Sequence, residues 1–486
     1  MARSAALGIF LLLFTGTYFY FATHLINQTN HNRQRSDQQN NIELTKVARS
    51  HMTPDISDGF GSGIWKWFPH YTDGVVNPLW PWLSAHLQKD DHASDQEIFV
   101  RGKWINVTLT AVFCIICGIV LSRHLSLLAT VNLVLLMGFG AFLPQAVFYQ
   151  PEPLYFMLFT LCWLLCLRIF HRNTAWCYAL LGVLCGLAYL TKTSIQPLMI
   201  SFVLVTTYRF FLDAGVHVLK VKWHRPCSEW LWQRHVVGMV FFGILFLVTA
   251  GPRLNYAHDR YGDAFHSFPS YWMWMDDFNE GAAFMQENSS REALVALQED
   301  DNKPSLKTYM ANHDTKDFRH RLTDGFWWTV NNFFSPKEAS VKNGKPSPWR
   351  TLLPDRGGYL LFLTAALLAM MIWCLFQRPK EDQPIAYRNA REGSTAALFV
   401  LGCTLFYALA YGWYVPVGKG DRFMLSLYIP LVLSVAWGIE SMVTRLSLRT
   451  GKPFAWTLNQ GVQLVLFGMI LMRLFETNGS PIFYTK

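Results

Sequence analysis

The sequence predicts an all-α polytopic membrane protein of about eleven transmembrane helices, with a mixed outward-facing domain built from two long loops. Three observations predict it. Of the 486 residues, 51% are hydrophobic and only 15% charged, against roughly 25% charged in soluble domains. Apolar runs of about 20 residues, the length that crosses a hydrocarbon core, recur along the chain. Lys and Arg gather in alternate connections between those runs, as cytoplasmic loops require.

The runs centre near Leu13, Cys114, Leu135, Leu161, Val183, Val203, Gly243, Ala366, Cys403, Val432 and Leu466. The first continues through "LLLFTGTYFYFATHL" with no small-residue cleavage site after it, so it reads as a retained anchor rather than a signal peptide. Arg123 and His124 alone divide the second run from the third, and the last carries Arg473 near its end.

One set of connections holds Arg123; Arg168 and Arg172; Arg209, Lys220, Lys222, Arg225 and Arg234; Arg378, Lys380, Arg388 and Arg391; then Arg445, Arg449 and Lys452. These are placed inside. The opposite set, with long segments at 25–100 and 252–357, faces outward or into a lumen. The chain divides accordingly into a transmembrane module at 1–251 that includes the first outer loop, an outer loop at 252–357, and C-terminal helices at 358–486. The net charge of +9 follows from this topology, and no basic stripe of the nucleic-acid type is present.

Eight of the nine cysteines fall in apolar runs, Cys227 being the loop exception. Cys114 and Cys117 have CxxC spacing but no polar neighbours, so helix packing explains them better than metal or redox chemistry.

The unusual polar residues collect on the outward side. Asp37 follows the anchor within a few residues, and Ile42, Leu44 and Val47 give the next segment an apolar side, the pattern of a helix lying at the interface. In "FPHYTDGVVNPLWPWLSAHL", Asp73-Gly74 marks a turn, and Trp80 and Trp82 have the character of interface anchors. Glu152 stands between Pro151 and Pro153 at a helix start, where the missing amide hydrogens cost nothing and the helix dipole favours a carboxylate. Lys192 and Arg422 lie at outward helix ends, where snorkelling alone explains a cation. Taken together, carboxylates and cations on one side of the membrane boundary can hold a phosphate-bearing lipid and activate a hydroxyl beside it.

At this point the residues resemble a known family. The order of "PLWPWL", Arg101 before the second helix, "QPEPLYFMLF", "GLAYLTKTS" and "DRFMLSLYIPL" resembles the GT-C superfamily of membrane glycosyltransferases. The likeness is to the branch of protein O-mannosyltransferases and the lipid A aminoarabinose transferase, over most of residues 1 to 440. The resemblance implies transfer of a sugar from a polyprenyl-phosphate donor to an acceptor hydroxyl on a glycan, lipid or protein, with inversion at the anomeric carbon. It assigns Asp37 as catalytic base and Lys192 and Arg422 as donor-phosphate contacts. Glu152 orients the acceptor or the surroundings of Asp37, directly or through a divalent cation; no other cofactor is implied. The chain has Asp37-Gln38 where the family usually has Asp-Glu, which leaves the partner acid unassigned. Asp73, Arg101, Asp276 and Asp277 are acceptor contacts or structural residues, a solvated turn being the simpler account of the last two.

Lipid tails need a groove between helices, which suits the apolar architecture. The expected location is a plasma or inner membrane with the site facing outward, or the endoplasmic reticulum. Two other classes stay open: a lipid or solute transporter, against which stands the absence of an obvious internal repeat, and a non-catalytic assembly subunit. Glycosylation sequons at Asn27, Asn106, Asn288 and Asn478 fall at or outside the expected outer boundary.

Overall fold

The structure, a computed structural model, describes residues 2–28, 32–34, 37–50, 68–88, 93–218, 231–299, 303–334, 356–376, 385–418, 424–450 and 454–476. Arg422, Cys227 and Asn478 lie outside the described residues. Among the described residues the regular elements are helices, with no strand.

The chain starts with α1 (Ala2–Gln28), then two short helices, α2 (Gln38–Ser50) and α3 (Leu79–Leu87), then α4 (Asp95–Leu121). Next come α5 (Leu127–Leu135), a π-helical turn (Leu136–Phe142) and α6 (Leu143–Ala146), which together make one span. They are followed by α7 (Glu152–His171), α8 (Ala175–Thr191), α9 (Gln196–Val218) and α10 (Leu231–Tyr261). Five shorter or amphipathic helices follow: α11 (Phe268–Trp272), α12 (Phe278–Glu287), α13 (Arg291–Glu299), α14 (Leu306–Asn312) and α15 (Thr315–Phe334). The chain returns to apolar helices in α16 (Arg356–Phe376), α17 (Ile385–Tyr414), α18 (Leu425–Thr450) and α19 (Phe454–Glu476).

Among the described residues, nine helical segments are long and apolar enough to cross a membrane, and α8 and α16 carry shorter apolar stretches. The expected centres fall in these segments one for one. Many outward side chains are large and apolar, among them Leu12 (76% exposed), Leu401 (69%) and Leu464 (62%), which suits a lipid surround and not water. The chain is a polytopic integral membrane protein.

Helix association in lipid depends on close backbone approach and polar contacts between helices, and both are present. The α8–α10 pair meets at Gly182 and Gly186, where an added Cβ would lie 2.5 Å from the Phe242 carbonyl and 2.6 Å from Thr249. Hydrogen bonds link Tyr18 to Thr110 (2.8 Å), Asn132 to Gln463 (2.9 Å), Trp163 to Ser434 (2.9 Å) and Tyr155 to Tyr407 (2.9 Å). The π-helical turn puts Gly138 against the Phe14 ring, at a point where a Cβ would come within 2.6 Å of it.

Six apolar segments separate the first long outer segment from the second, and an even number returns the chain to the same side. Contacts agree: the Phe268 amide donates to the Gly74 carbonyl at 2.9 Å, and the Tyr261 hydroxyl to that of Thr72 at 3.2 Å. The described parts of both segments therefore meet at one end of the bundle.

Two expectations need correction there. Trp80 is fully buried against Tyr149 instead of being presented to a membrane surface, and Trp82 is half-buried with its ring tilted against His86 at 4.1 Å. Asn106 is fully buried inside α4 and donates to the carbonyls of Phe148 and Gln150, both at 3.0 Å, so its sequon is closed to modification.

Candidate functional site

The site is built on the turn before α7. Asn106 holds two of its carbonyls from α4, and the Gln38 side chain in α2 accepts the Tyr149 amide at 2.9 Å. The Tyr149 ring lies over Gly102, where a Cβ would fall 1.9 Å from it. Its hydroxyl meets Thr45 at 2.6 Å and Ser84 at 2.7 Å; burial pushes that hydroxyl's pKa up to about 12. One tyrosine thus joins α2, α3 and α4 to the residues that lead into Glu152.

Glu152 is the first residue of α7, with Pro151 before it and Pro153 after it, the helix-start geometry its prolines predict. It does more than cap. Its Oε1 lies 3.0 Å from the Lys192 Nζ, with the Glu152 side chain 3% exposed and that of Lys192 21%. Lys192 follows the last residue of α8 in extended conformation, its amide donating to the Ala188 carbonyl at 2.8 Å. The neighbouring Ser194 carbonyl accepts from the Tyr407 hydroxyl, which also meets Tyr155, so α7, α8 and α17 fix the cation together.

Asp37 immediately precedes α2, its carbonyl accepting from the Asn41 amide at 3.1 Å and the Asn41 side chain at 2.7 Å. It is half-buried. Asp73, thirty-six positions on, lies close enough for the Asp37 charge to act on it. Asp73 Oδ1 accepts the amides of Val75 (2.8 Å) and Val76 (2.6 Å), closing the expected turn. Burial raises the Asp73 pKa against those two donors, and the Asp37 charge raises it further. Gly74 has φ +86°, and a Cβ there would meet the Phe268 ring at 2.7 Å; the left-handed turn and the close approach both call for glycine.

The other expected residues are placed differently. Arg101 is exposed and 3.8 Å from Glu97, one helical turn earlier. Asp277 caps α12, accepting the Asn279 and Glu280 amides at 2.7 and 2.9 Å. Asp276 meets His313 at 3.0 Å and Arg321 at 3.5 Å. Both aspartates are exposed and lie in the turn before α12, as the simpler account expects, with these local contacts added. Among the described residues no three or more His, Cys, Asp or Glu side chains form a metal-ligand group.

Sequence reasoning missed two buried arginines. Arg321 donates to the carbonyls of Met273, Met275 and Trp413 at 2.8–3.1 Å and stacks on Trp413 at 4.6 Å, tying α15 and the 273–276 turn to the end of α17. Gly325 and Gly412 pass so closely beside it that a Cβ on Gly325 would fall 1.9 Å from the Gly412 carbonyl. Arg253, in "AGPRLNY", is 1% exposed. The signal for Arg253 is an arginine in apolar sequence with no acid at helical spacing; Arg321 has Asp317 and Asp324 at helical spacing, so nothing in the sequence marks it as buried.

No protein-family model matches the chain, and no curated protein matches its sequence. Two solved structures of the Archaeoglobus fulgidus oligosaccharyltransferase are similar to it. The apo form has 14% identity and a TM-score of 0.42, covering 96% of this chain and 55% of that one. The complex with Zn and sulfate has 13% identity and a TM-score of 0.39, covering 88% and 47%. The chain spans about half the length of those structures. Likeness at that level assigns neither an activity nor a residue role.

Proposed function

We propose that the chain is a membrane glycosyltransferase that moves a sugar from a polyprenyl-phosphate carrier to an acceptor hydroxyl, with inversion, on the outward or lumenal face. The observation that carries this reading is the buried Glu152–Lys192 pair, with the start of α2 next to Asp37 tied to the turn before Glu152 through Gln38 and Tyr149. The motif resemblance supports it independently.

A hydroxyl attacks poorly while it keeps its proton. Asp37 takes that proton as the acceptor oxygen bonds to the anomeric carbon. The bond from that carbon to the phosphate oxygen breaks on the opposite face, and the phosphate leaves with the electron pair. Lys192 meets the charge developing there: an ammonium has three donors and can serve Glu152 and a phosphate together. Glu152, too buried to reach an acceptor, acts through Lys192. Arg422 is the second phosphate contact in this reading. A divalent cation would find Asp37 and Asp73 as a two-carboxylate set of the kind Mg²⁺ takes alongside phosphate oxygens and water. It would supply further charge neutralisation at the leaving phosphate.

Asp37→Asn tests the reading. Asn keeps the size and one carbonyl but cannot accept the proton near neutral pH, so transfer from polyprenyl-phosphate mannose or another such donor should fall by about 10² to 10⁴. Donor lipid should still co-purify, as seen by mass spectrometry. Wild-type transfer by the folded, donor-binding variant would remove Asp37 as the base. Wild-type protein that binds the carrier and turns over none of a panel of donors would favour the transporter or assembly-subunit readings instead.

A further inference from the structure

Arg253 stands one residue past Pro252 in α10, almost wholly buried, and its contacts are with neutral groups. One guanidinium nitrogen donates to the Tyr189 hydroxyl at 3.0 Å and the Ala264 carbonyl at 3.4 Å, the other to the His266 carbonyl at 2.7 Å. The guanidinium also lies 5.0 Å over the Tyr189 ring. Among the described residues no carboxylate lies within ion-pair distance of it. Burying a cation among neutral groups costs more than an apolar side chain of the same size would, so its value lies in what the planar fork joins.

Each partner leads to one half of the site. Tyr189 is on the last turn of α8, three residues before Lys192. His266 stacks on Tyr261 at 4.1 Å, and Tyr261 holds the Thr72 carbonyl. Two residues on, the Phe268 amide holds the Gly74 carbonyl. Asp73 lies between those two anchored residues. Burial brings the pKa of the His266 ring down to about 4.

We propose that Arg253 is a positioning residue that sets the distance between the cation half of the site, Lys192 with Glu152, and the carboxylate half, Asp73 with Asp37. Its catalytic consequence rests on the glycosyl-transfer reading, while the mechanical coupling does not. Lysine keeps the charge and loses the fork, since an ammonium is a point donor. Misplacement of reacting groups by about 1 Å can cost roughly 10²-fold in rate.

The test uses the full-length protein in nanodiscs as wild type, Arg253→Lys and Tyr189→Phe; the last removes one acceptor of the fork and keeps the fold if Arg253→Lys does not. Amide exchange is followed at Gly74–Val76 and Phe268 and, as a control, along α18. With the coupling present, exchange at the outer segments rises by about tenfold or more in Arg253→Lys while α18 is unchanged, as expected for a local opening. With donor turnover measured in parallel, kcat falls by about 10- to 100-fold and the donor KM stays within about threefold. A merely structural arginine would lower the folded fraction and leave the kcat of the folded protein alone. Unchanged exchange at residues 74–76 and 268 in both variants overturns the coupling, whatever the activity. Changed exchange with unchanged kcat in an active enzyme overturns the positioning role. Absence of sugar transfer in the wild type overturns the functional reading and leaves the coupling to the exchange result.

Discussion

Glu152 and Lys192, forty positions apart, meet at 3.0 Å with the carboxylate sealed inside the protein and the ammonium partly open to the outside. This asymmetry separates two roles that the sequence leaves fused. In the proposed reading the glutamate holds the lysine and the lysine meets the donor phosphate.

The pair predicts a non-additive cycle. Removing one member of a buried ion pair typically costs about 3–5 kcal/mol because the other charge is left uncompensated. The partial exposure of Lys192 puts Lys192→Met at the low end of that range and Glu152→Gln below it, since the ammonium can turn to water. The double variant should be more stable than Lys192→Met alone, as thermal unfolding in one detergent would show. It should still bind donor phosphate weakly. Donor KM at wild-type level in the double variant would leave Lys192 as a helix anchor only.

His313 predicts a pH response in the outer segment. Its Nδ1 faces the Tyr309 carbonyl and its Nε2 the Asp276 carboxylate, each at 3.0 Å, and the ring stacks on Tyr309 at 4.0 Å. Two acceptors can both be served only by the doubly protonated ring. Burial pulls its pKa down, but the Tyr309 carbonyl and Asp276, with Asp317 nearby, outweigh that and raise it; Arg321, which also pairs with Asp276, opposes them. A raised folded pKa stabilises below the unfolded value of about 6.5, and the stabilisation is lost as pH rises through the folded value. Amide protection around residues 309–313, corrected for intrinsic exchange, should therefore fall between pH 6 and 8. The change is small, below about 1 kcal/mol for so exposed a carboxylate. In His313→Gln the same amides should show no such dependence.

The membrane spans were legible because the bilayer imposes a length and a composition on each of them, and a residue window reads both. Asp37 before a helix, the Asp73-Gly74 turn and the helix start at Glu152 were legible because each is local. Trp80 and Asn106 were misread for one reason: amphipathic or sequon chemistry reports what a side chain can do and not how deep it sits. The Arg253 and Arg321 partners are mostly backbone carbonyls, which every residue carries, so no sequence pattern marks them. The approach of Asp73 to Asp37 depends on tertiary contacts such as Phe268 to Gly74, which no local rule reaches.

Topology predicts a labelling pattern. In a cysteine-free background, single cysteines at Gln96 and Ser289, both exposed, should react with a membrane-impermeant maleimide from the same side. A cysteine at Arg172, also exposed, should react from the other. Labelling of positions 96 and 289 from opposite sides would break the shared outer layer on which the site depends.

Gly102 gives the sharpest structural test, because two effects of opposite sign compete there. Alanine in a helix interior gains about 1 kcal/mol over glycine from propensity. Its Cβ, however, would lie 1.9 Å from the Tyr149 ring, and overpacking a well-filled core costs about 1–3 kcal/mol, sometimes more. The ring cannot yield cheaply, since its hydroxyl is held by Thr45 and Ser84 and its own amide by Gln38. Gly102→Ala should therefore destabilise on balance. The strain should be felt at α2 and the turn before Glu152, lowering turnover more than it lowers the melting temperature. Tyr149→Phe in the same background keeps the clash and removes the hydroxyl's hold, so it should recover part of the stability by letting the ring move, but little of the activity. A Gly102→Ala protein as stable and as active as wild type would show that Tyr149 is not what fixes Asp37 and Glu152 relative to each other.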